Sequence, residues 1–386
     1  MNNPYVSLET LFSNSNTVIQ RALRESDGLT VILKSLVAPY PTTAQLQRFV
    51  FSCEVAKKFD HPNILKVLDF QEHNNSPFMV LEDHQLIDLQ SYSQQQTDKH
   101  LSVSDFLNIA IQVAEALSVI HHAQVIHKGL HPGNLLINPQ SLKLQVTDFG
   151  SASILTREQM ALAPPEKLEG LLPYISPEQT GRMNRVLDYR SDFYTLGVTF
   201  YELLSGELPF KASDALGMVH AHIAKPHQPL VELGKNIPLV VSELVDKLLQ
   251  KSAEQRYQSA QGLKHDLEKC SQALRNNKLM TKFDLGEKDI SDRFQISQKL
   301  YGRSREVAAL LSHFNKIVGG QSQLLAVSGY PGVGKSVLIN EVHKPIAAHN
   351  GLFLSGKFDQ FQRSTPYFAI RQMLDIWLLK VLSLPL

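Results

Sequence analysis

The chain has 386 residues, of which 43% are hydrophobic and 19% charged, with 38 Lys+Arg against 37 Asp+Glu. Such proportions suit globular protein with room for two or more domains, and the near-zero net charge gives no reason to expect a nucleic-acid partner or an anionic-membrane surface. Two cysteines, Cys53 and Cys270, are too few for a disulfide framework; the N-terminus has no secretory signal, and no uninterrupted apolar stretch approaches the ~20 residues of a membrane span, so a cytoplasmic protein is expected.

In chain order, "LTVILKSL" (29–36) is a β-branched run around one lysine and "FMVLED" (78–83) an apolar run ending in acids, both predicted strands. Between them "AQLQRFVFSCEVAKKF" (44–59) has helical composition closed by "DHPN". The tract "SYSQQQTDKH" (91–100) reads as a polar loop. Leu107, Ala110, Ile111, Ala114 and Leu117 then repeat at helical spacing, with Ser104 as the expected N-cap. "SDFYTLGVTFYELLSG" (191–206) is apolar nearly all round and stops at Gly206, the pattern of a buried helix. A small strand-rich part followed by a larger helix-rich part predicts a two-lobed α+β layout. The polar, weakly periodic stretch 271–297 is a predicted linker, after which 305–318 reads as a helix and 322–342 as strand, glycine loop and helix.

Several motifs in this order resemble the protein kinase superfamily, Ser/Thr type, over residues 5–270. "VILK" puts Lys34 at the phosphate-gripping lysine, "VTDFG" puts Asp148 at the Mg²⁺-binding aspartate, and "IHKGLHPGN" aligns His127 with the motif histidine and Asn134 with the second metal ligand. "ISPEQT", "RSDFYTLG" and "EQRYQSA" supply Glu178, Asp192 and Arg256. In the family these three hold the fold: Glu178 and Arg256 as a buried ion pair, Asp192 on the catalytic-loop backbone. The resemblance therefore implies ATP and Mg²⁺ as cofactors, protein substrates or downstream signalling domains as partners, and a two-lobed kinase fold.

Three departures from the family concern chemistry. Gly129 stands where the catalytic aspartate belongs, so no side chain there can accept the substrate hydroxyl's proton, assistance typically worth ~10²–10⁴ in rate. His131, at the position of the loop lysine, is the weak substitute. Counting back from "HPNI" places Ser52 at the helix position that should pair with the lysine; Glu54, two residues on, is the alternative if the alignment shifts, although i and i+2 point to different faces. "FSNSNTVIQRA" (12–22) has no glycine where the family uses several to bring backbone N–H groups to phosphate. The expectation is a kinase-family domain, ATP-binding but catalytically impaired and acting as a regulatory module. The alternatives are an active Ser/Thr kinase, or a non-enzymatic fragment of a longer signalling receptor.

"GYPGVGKS" matches G-x-x-x-x-G-K-[ST] through Gly329, Gly334, Lys335 and Ser336, with Gly332 inside the loop. Backbone N–H groups would cradle phosphates, Lys335 would reach the β/γ groups and Ser336 would ligate Mg²⁺. The flanking "LYGRSREVAALLSHF" and "GKFDQFQRSTPYFAIRQML" resemble the start of the regulatory ATPase module of large bacterial hybrid sensor kinases. The predicted fold is thus an α+β two-lobed protein-kinase fold followed by the beginning of an α/β P-loop NTPase domain (298–386), truncated and without hydrolysis. The tail "IWLLKVLSLPL" is expected to be an amphipathic helix that leaves apolar surface exposed.

Overall fold

Alternation of β-branched and polar residues near the N-terminus produces a five-stranded antiparallel sheet in the order β1-β2-β3-β5-β4, built from β1 (Tyr5–Ser13), β2 (Thr17–Arg24), β3 (Thr30–Leu36), β4 (Val67–His73) and β5 (Ser76–Glu82). The computed structural model describes residues 4–37, 41–73, 76–96, 98–154, 171–181, 187–276, 283–291, 302–330, 333–342, 345–346, 349, 351, 353–356 and 367–382. Tyr5, Ala22, Val31, Leu33, Phe78 and Val80 pack together in the core of this lobe. Because successive strand residues face opposite ways, Ile32 and Lys34 lie on the other face from Val31 and Leu33. In register, Lys34 sits between Ile19 of β2 and Met79 of β5.

α1 (Thr43–Ala56) is started by a capping box: Gln45 N–H donates to Thr42 Oγ1 at 3.3 Å, and Thr42 N–H donates back to Gln45 Oε1 at 2.9 Å. This helix packs on the turn Phe149–Ser151 that follows Asp148. A short three-stranded sheet, β6 (Ile87–Asp88), β7 (Leu135–Ile137) and β8 (Leu144–Val146), underlies the cleft. The predicted polar loop at 91–100 begins inside a short helix, α2 (Leu89–Gln94), and is non-helical at the described residues beyond Gln94: Asp88 caps the helix by accepting from Ser91 N–H at 2.8 Å, and Leu89 and Tyr92 are buried. Two apolar anchors in so polar a stretch are too few to register as a periodic pattern.

α3 (Val103–His122) is the core helix of the helical lobe, with ten buried residues, packed mainly on α7 (Ala260–Arg275). Its N-cap is Ser102 rather than the predicted Ser104, because Ser102 Oγ is the hydroxyl that Asp105 N–H reaches, at 3.1 Å. α3 is also the one described helix long and apolar enough to cross a membrane, and half of its most apolar window is buried inside the lobe. α4 (Arg190–Ser205) is buried at every position but Glu202 and ends at Gly206, whose φ of 76° is a left-handed cap that glycine adopts without strain. Cys53 and Cys270 are both free and buried. The stretch expected to be a linker at 271–297 begins inside α7, and residues 283–291 are hydrogen-bonded to that helix.

A second compact unit comprises residues 158–187, 210–227 and 295–386. In it α5 (Ala215–Ala224) packs through Val219 and Ile223 against Ile175. α8 (Ser304–Val318) occupies the predicted 305–318 helix and buries Leu310 and Phe314. The run before the glycine loop is not a strand: residues 321–330 are irregular and Leu324 is 98% exposed. A strand needs a neighbour to take up its N–H and C=O groups, and among the described residues none pairs with this one. α9 (Lys335–Asn340) follows the loop, and α10 (Phe368–Leu382) covers most of the predicted tail helix with Leu374, Trp377 and Leu378 exposed.

Candidate functional site: a cleft between Lys34 and Asp148

Lys34 and Asp148 meet directly, Nζ to Oδ1 at 3.1 Å, with side chains 14% and 39% exposed. Burial pushes the Asp148 carboxyl up, but the Lys34 ammonium, the Gly150 N–H and His127 outweigh it and hold the group below the usual carboxylate range. Asp148 is left-handed at φ 63°, an uncommon backbone state for a non-glycine residue and one that clusters at functional sites. Its Oδ1 also accepts from Gly150 N–H at 3.2 Å.

The partner that a kinase would give Lys34 is missing on geometric grounds. Ser52 is buried at 5% exposure in α1, while Glu54 is exposed. The face that α1 turns inward is therefore Ser52's, so the shifted alignment does not bring Glu54 to the lysine. Asp148 takes that place in the structure.

The loop between α3 and β7 is held from below by Asp192, which is fully buried near the start of α4. Its Oδ2 accepts from His127 N–H at 2.9 Å and its Oδ1 from Lys128 N–H at 2.8 Å, with His121 Nε2 2.9 Å from Oδ2. Lys128, between two of the site positions, sits at φ 61°. His127 is buried against the Phe149 ring, 4.9 Å between centroids, and its Nε2 meets Thr147 C=O at 3.1 Å; burial keeps this imidazole's pKa below the ordinary value. Phe149 in turn stacks on Phe59 at 5.3 Å. The frame of the loop is complete.

Its outer end carries Gly129, His131 and Asn134. At Gly129 an added Cβ would meet Asn134 Nδ2 at 3.4 Å and His127 Nδ1 at 3.7 Å, ordinary contacts, so a side chain would fit and the glycine is not there for want of space. Asn134 Nδ2 donates to Gly129 C=O at 2.9 Å. His131 lies beside Gly133, where a Cβ would sit 3.2 Å from its Nδ1. Burial, then His127, pulls the His131 imidazole down to about 4, leaving it neutral and weakly basic at pH 7.

The β1–β2 turn explains what replaces the missing glycines. Asn14 Oδ1 accepts from Asn16 N–H and Thr17 N–H, both at 2.8 Å, and Asn14 N–H donates to Thr17 C=O at 3.0 Å. Backbone donors that a glycine-rich loop would present to phosphate are thus taken up by one carboxamide. At the other end of the lobe, Arg21 of β2 is ion-paired to Asp83 just after β5, Nε to Oδ2 at 2.6 Å, a contact that sequence spacing alone does not signal.

Of the residues expected to hold the fold, Glu178 is 5% exposed, and Arg256, 1% exposed, donates to the carbonyls of Gln250, Arg190 and Lys251 at 2.7, 3.0 and 3.2 Å. In the P-loop segment Lys335 Nζ donates to the carbonyls of Gly329 and Tyr330, both at 2.9 Å, Gly334 caps α9 at φ 89°, and Ser336 follows in its first turn. Gly332 lies outside the described residues.

An antiparallel strand lobe over a helical lobe, with a lysine and an aspartate facing each other across the cleft, defines a nucleotide-binding fold of the phosphotransferase type. The chain belongs to the protein kinase domain family, which matches residues 5–267. The AAA ATPase domain family matches residues 299–382, so a P-loop module follows the kinase fold. Over 231 residues, 55% of this chain, it is 42% identical to hybrid signal transduction histidine kinase G of Dictyostelium discoideum, of which it spans 7%. It is 32% identical over 248 residues (62% of this chain, 44% of the relative) to serine/threonine-protein kinase pkn3 of Myxococcus xanthus. To serine/threonine-protein kinase PrkC of Bacillus subtilis it is 28% identical over 232 residues, 60% of this chain and 35% of the relative. The chain thus spans less than half the length of each of these relatives.

Proposed function

We propose that residues 5–270 form a regulatory kinase-fold module that binds ATP with Mg²⁺ and transfers phosphate weakly or not at all. The observation that carries this reading is Gly129: a loop fully braced by Asp192, with room for a side chain, holds no carboxylate where the substrate proton must go. The buried Ser52 and the self-satisfied Asn14 turn weaken phosphate positioning in the same direction.

The donor set still suits a magnesium nucleotide. Asp148 offers an anionic oxygen and Asn134 a carboxamide, the hard ligands that Mg²⁺ takes alongside phosphate oxygens, and Lys34 offers a cation. Among the described residues no three acidic, histidine or cysteine side chains cluster as an all-protein metal site, so the phosphates would complete the coordination. When bound, the metal would neutralise phosphate charge; Lys34 would exchange its Asp148 contact for a phosphate oxygen, and Asp192 would keep the loop fixed beneath. Similarity to a hybrid signal transduction histidine kinase supports a place in signalling, with other signalling domains as partners.

A second reading, an active Ser/Thr kinase, has one observation in its favour: His131 is neutral at pH 7 and so in the proton-accepting form. The two separate in one experiment. Labelled phosphate from Mg²⁺-ATP should reach neither the chain nor a generic protein substrate, while a fluorescent ATP analogue binds saturably and loses affinity in Lys34→Ala. Transfer by the native chain that disappears in Asp148→Ala would establish the second reading.

A further inference from the structure

Residues 283–291 follow the kinase-family match, which stops at 267, and read as linker in the sequence, yet they are bonded into the helical lobe. Ser259 caps α7, its Oγ accepting from Gly262 N–H at 3.0 Å, and Asp289 braces that cap from outside the helix: its Oδ1 accepts from Ser259 N–H and Ser259 Oγ–H, both at 2.8 Å, and its Oδ2 from Gln258 N–H at 2.7 Å. Three residues earlier, Gly286 N–H donates to the buried Asp266 at 2.7 Å, and Lys247 Nζ reaches Leu285 C=O at 3.3 Å. Gly262 records this docking in the sequence. Glycine inside a helix is less favourable than alanine by roughly 1 kcal/mol, but a Cβ here would lie 2.5 Å from Asp289 Oδ1 and 2.6 Å from its Cα. The first turn of α7 is shaped to receive the segment.

The bonds continue inward. Gln258 C=O accepts from Tyr189 Oη–H at 2.8 Å, Tyr189 Oη lies 3.3 Å from Ser291 Oγ, and Gln258 Oε1 accepts from Arg190 Nη1 at 3.0 Å. Tyr189 packs edge-on to His121, 5.1 Å between centroids, and His121 bonds Asp192, the residue that holds the His127 and Lys128 amides.

We propose that residues 283–291 are a strap whose docking on α7 is coupled to the catalytic loop through Tyr189, Arg190 and Asp192, so that release of the strap loosens the loop that carries Gly129. The strap lies between the kinase fold and the P-loop segment. A force or binding event on the following module would therefore be read at the cleft through a two-state contact that both ends bias. Nucleotide binding is not needed for this coupling, which keeps it separate from the function proposed above.

The test is amide hydrogen exchange on the full chain, native and with Asp289→Ala or Gly262→Ala. Losing the Asp289 bonds to Gln258 and Ser259 frees the helix start by about fivefold or more in opening, so exchange at 259–262 and 283–291 should rise by that factor. In both variants the amides of His127 and Lys128 should accelerate severalfold as well. Glu287→Ala, which removes only the exposed pair with Lys269, should leave those two amides at the native rate. If Asp289→Ala does not fold, Gly262→Ala and the milder Asp289→Asn give the same readout. Strap and helix start released with His127 and Lys128 unchanged would reduce the segment to a passive tail, and unchanged exchange at 259–262 would show that Asp289 does not hold it.

Discussion

Replacing Asp192 by alanine removes the acceptor for two buried backbone N–H groups and for His121 at once. His127, Lys128 and Asp192 are all buried, so water does not reach these amides without opening the lobe. Each orphaned buried donor costs about 1–3 kcal/mol, so for the two amides about 4 kcal/mol is the expected loss. For a domain of this size about 2–4 °C is lost per kcal/mol, giving a melting temperature lower by roughly 10 °C. Differential scanning calorimetry on native and Asp192→Ala protein measures this directly, and Asp192→Asn, which keeps one acceptor oxygen, should fall between. A drop under about 2 °C would refute the claim that this carboxylate braces the loop.

The Asn14 turn makes an opposite prediction: Asn14→Gly frees the amides of Asn16 and Thr17, so affinity for a fluorescent ATP analogue should rise severalfold in a titration, while the β1–β2 hairpin loses about 1 kcal/mol. His131 predicts a pH dependence. Its folded value of about 4 lies below the ordinary 6.5, so between these the unfolded chain binds more protons; the stability it confers is complete above about pH 6.5 and falls away, by up to about 3 kcal/mol, as pH drops towards 4. Urea midpoints across that window should flatten in His131→Asn. Arg21→Met should lower the urea midpoint measurably, because it leaves the Asp83 carboxylate, whose side chain is 5% exposed, without its ion-pair partner.

Much of the kinase-type lobe pair was readable because its signals are local. The lysine of "VILK" is fixed to β3 by strand alternation, and Gly206 ends α4 where the apolar run stops. That Gly129 stands at the loop position where the family motif has an aspartate needed only a motif count. What the sequence left open were facts about facing: whether Ser52 or Glu54 looks inward depends on which side of α1 is buried, and composition does not say. Asn14 was visible as an absence of glycine, but its capture of two amides is a turn geometry. The docked strap was hidden for a different reason. A polar nine-residue stretch carries no periodic apolar signal, and its Asp289 carboxylate anchors on Gln258 and Ser259 at a helix start 31 and 30 residues earlier in the chain. The "LLAVS" run failed as a strand because periodicity reports the willingness of a segment to pair and not the presence of its neighbour.

The most direct test of the central claim is phosphoryl transfer from labelled Mg²⁺-ATP by Gly129→Asp beside the native chain. The new carboxylate finds its Cβ in ordinary contact with Asn134 and His127, on a backbone that Asp192 already holds. The account predicts transfer by Gly129→Asp at ~10²-fold or more above a native signal at background. Transfer by the native chain that Gly129→Asp leaves unchanged would contradict it, because the base would then lie elsewhere.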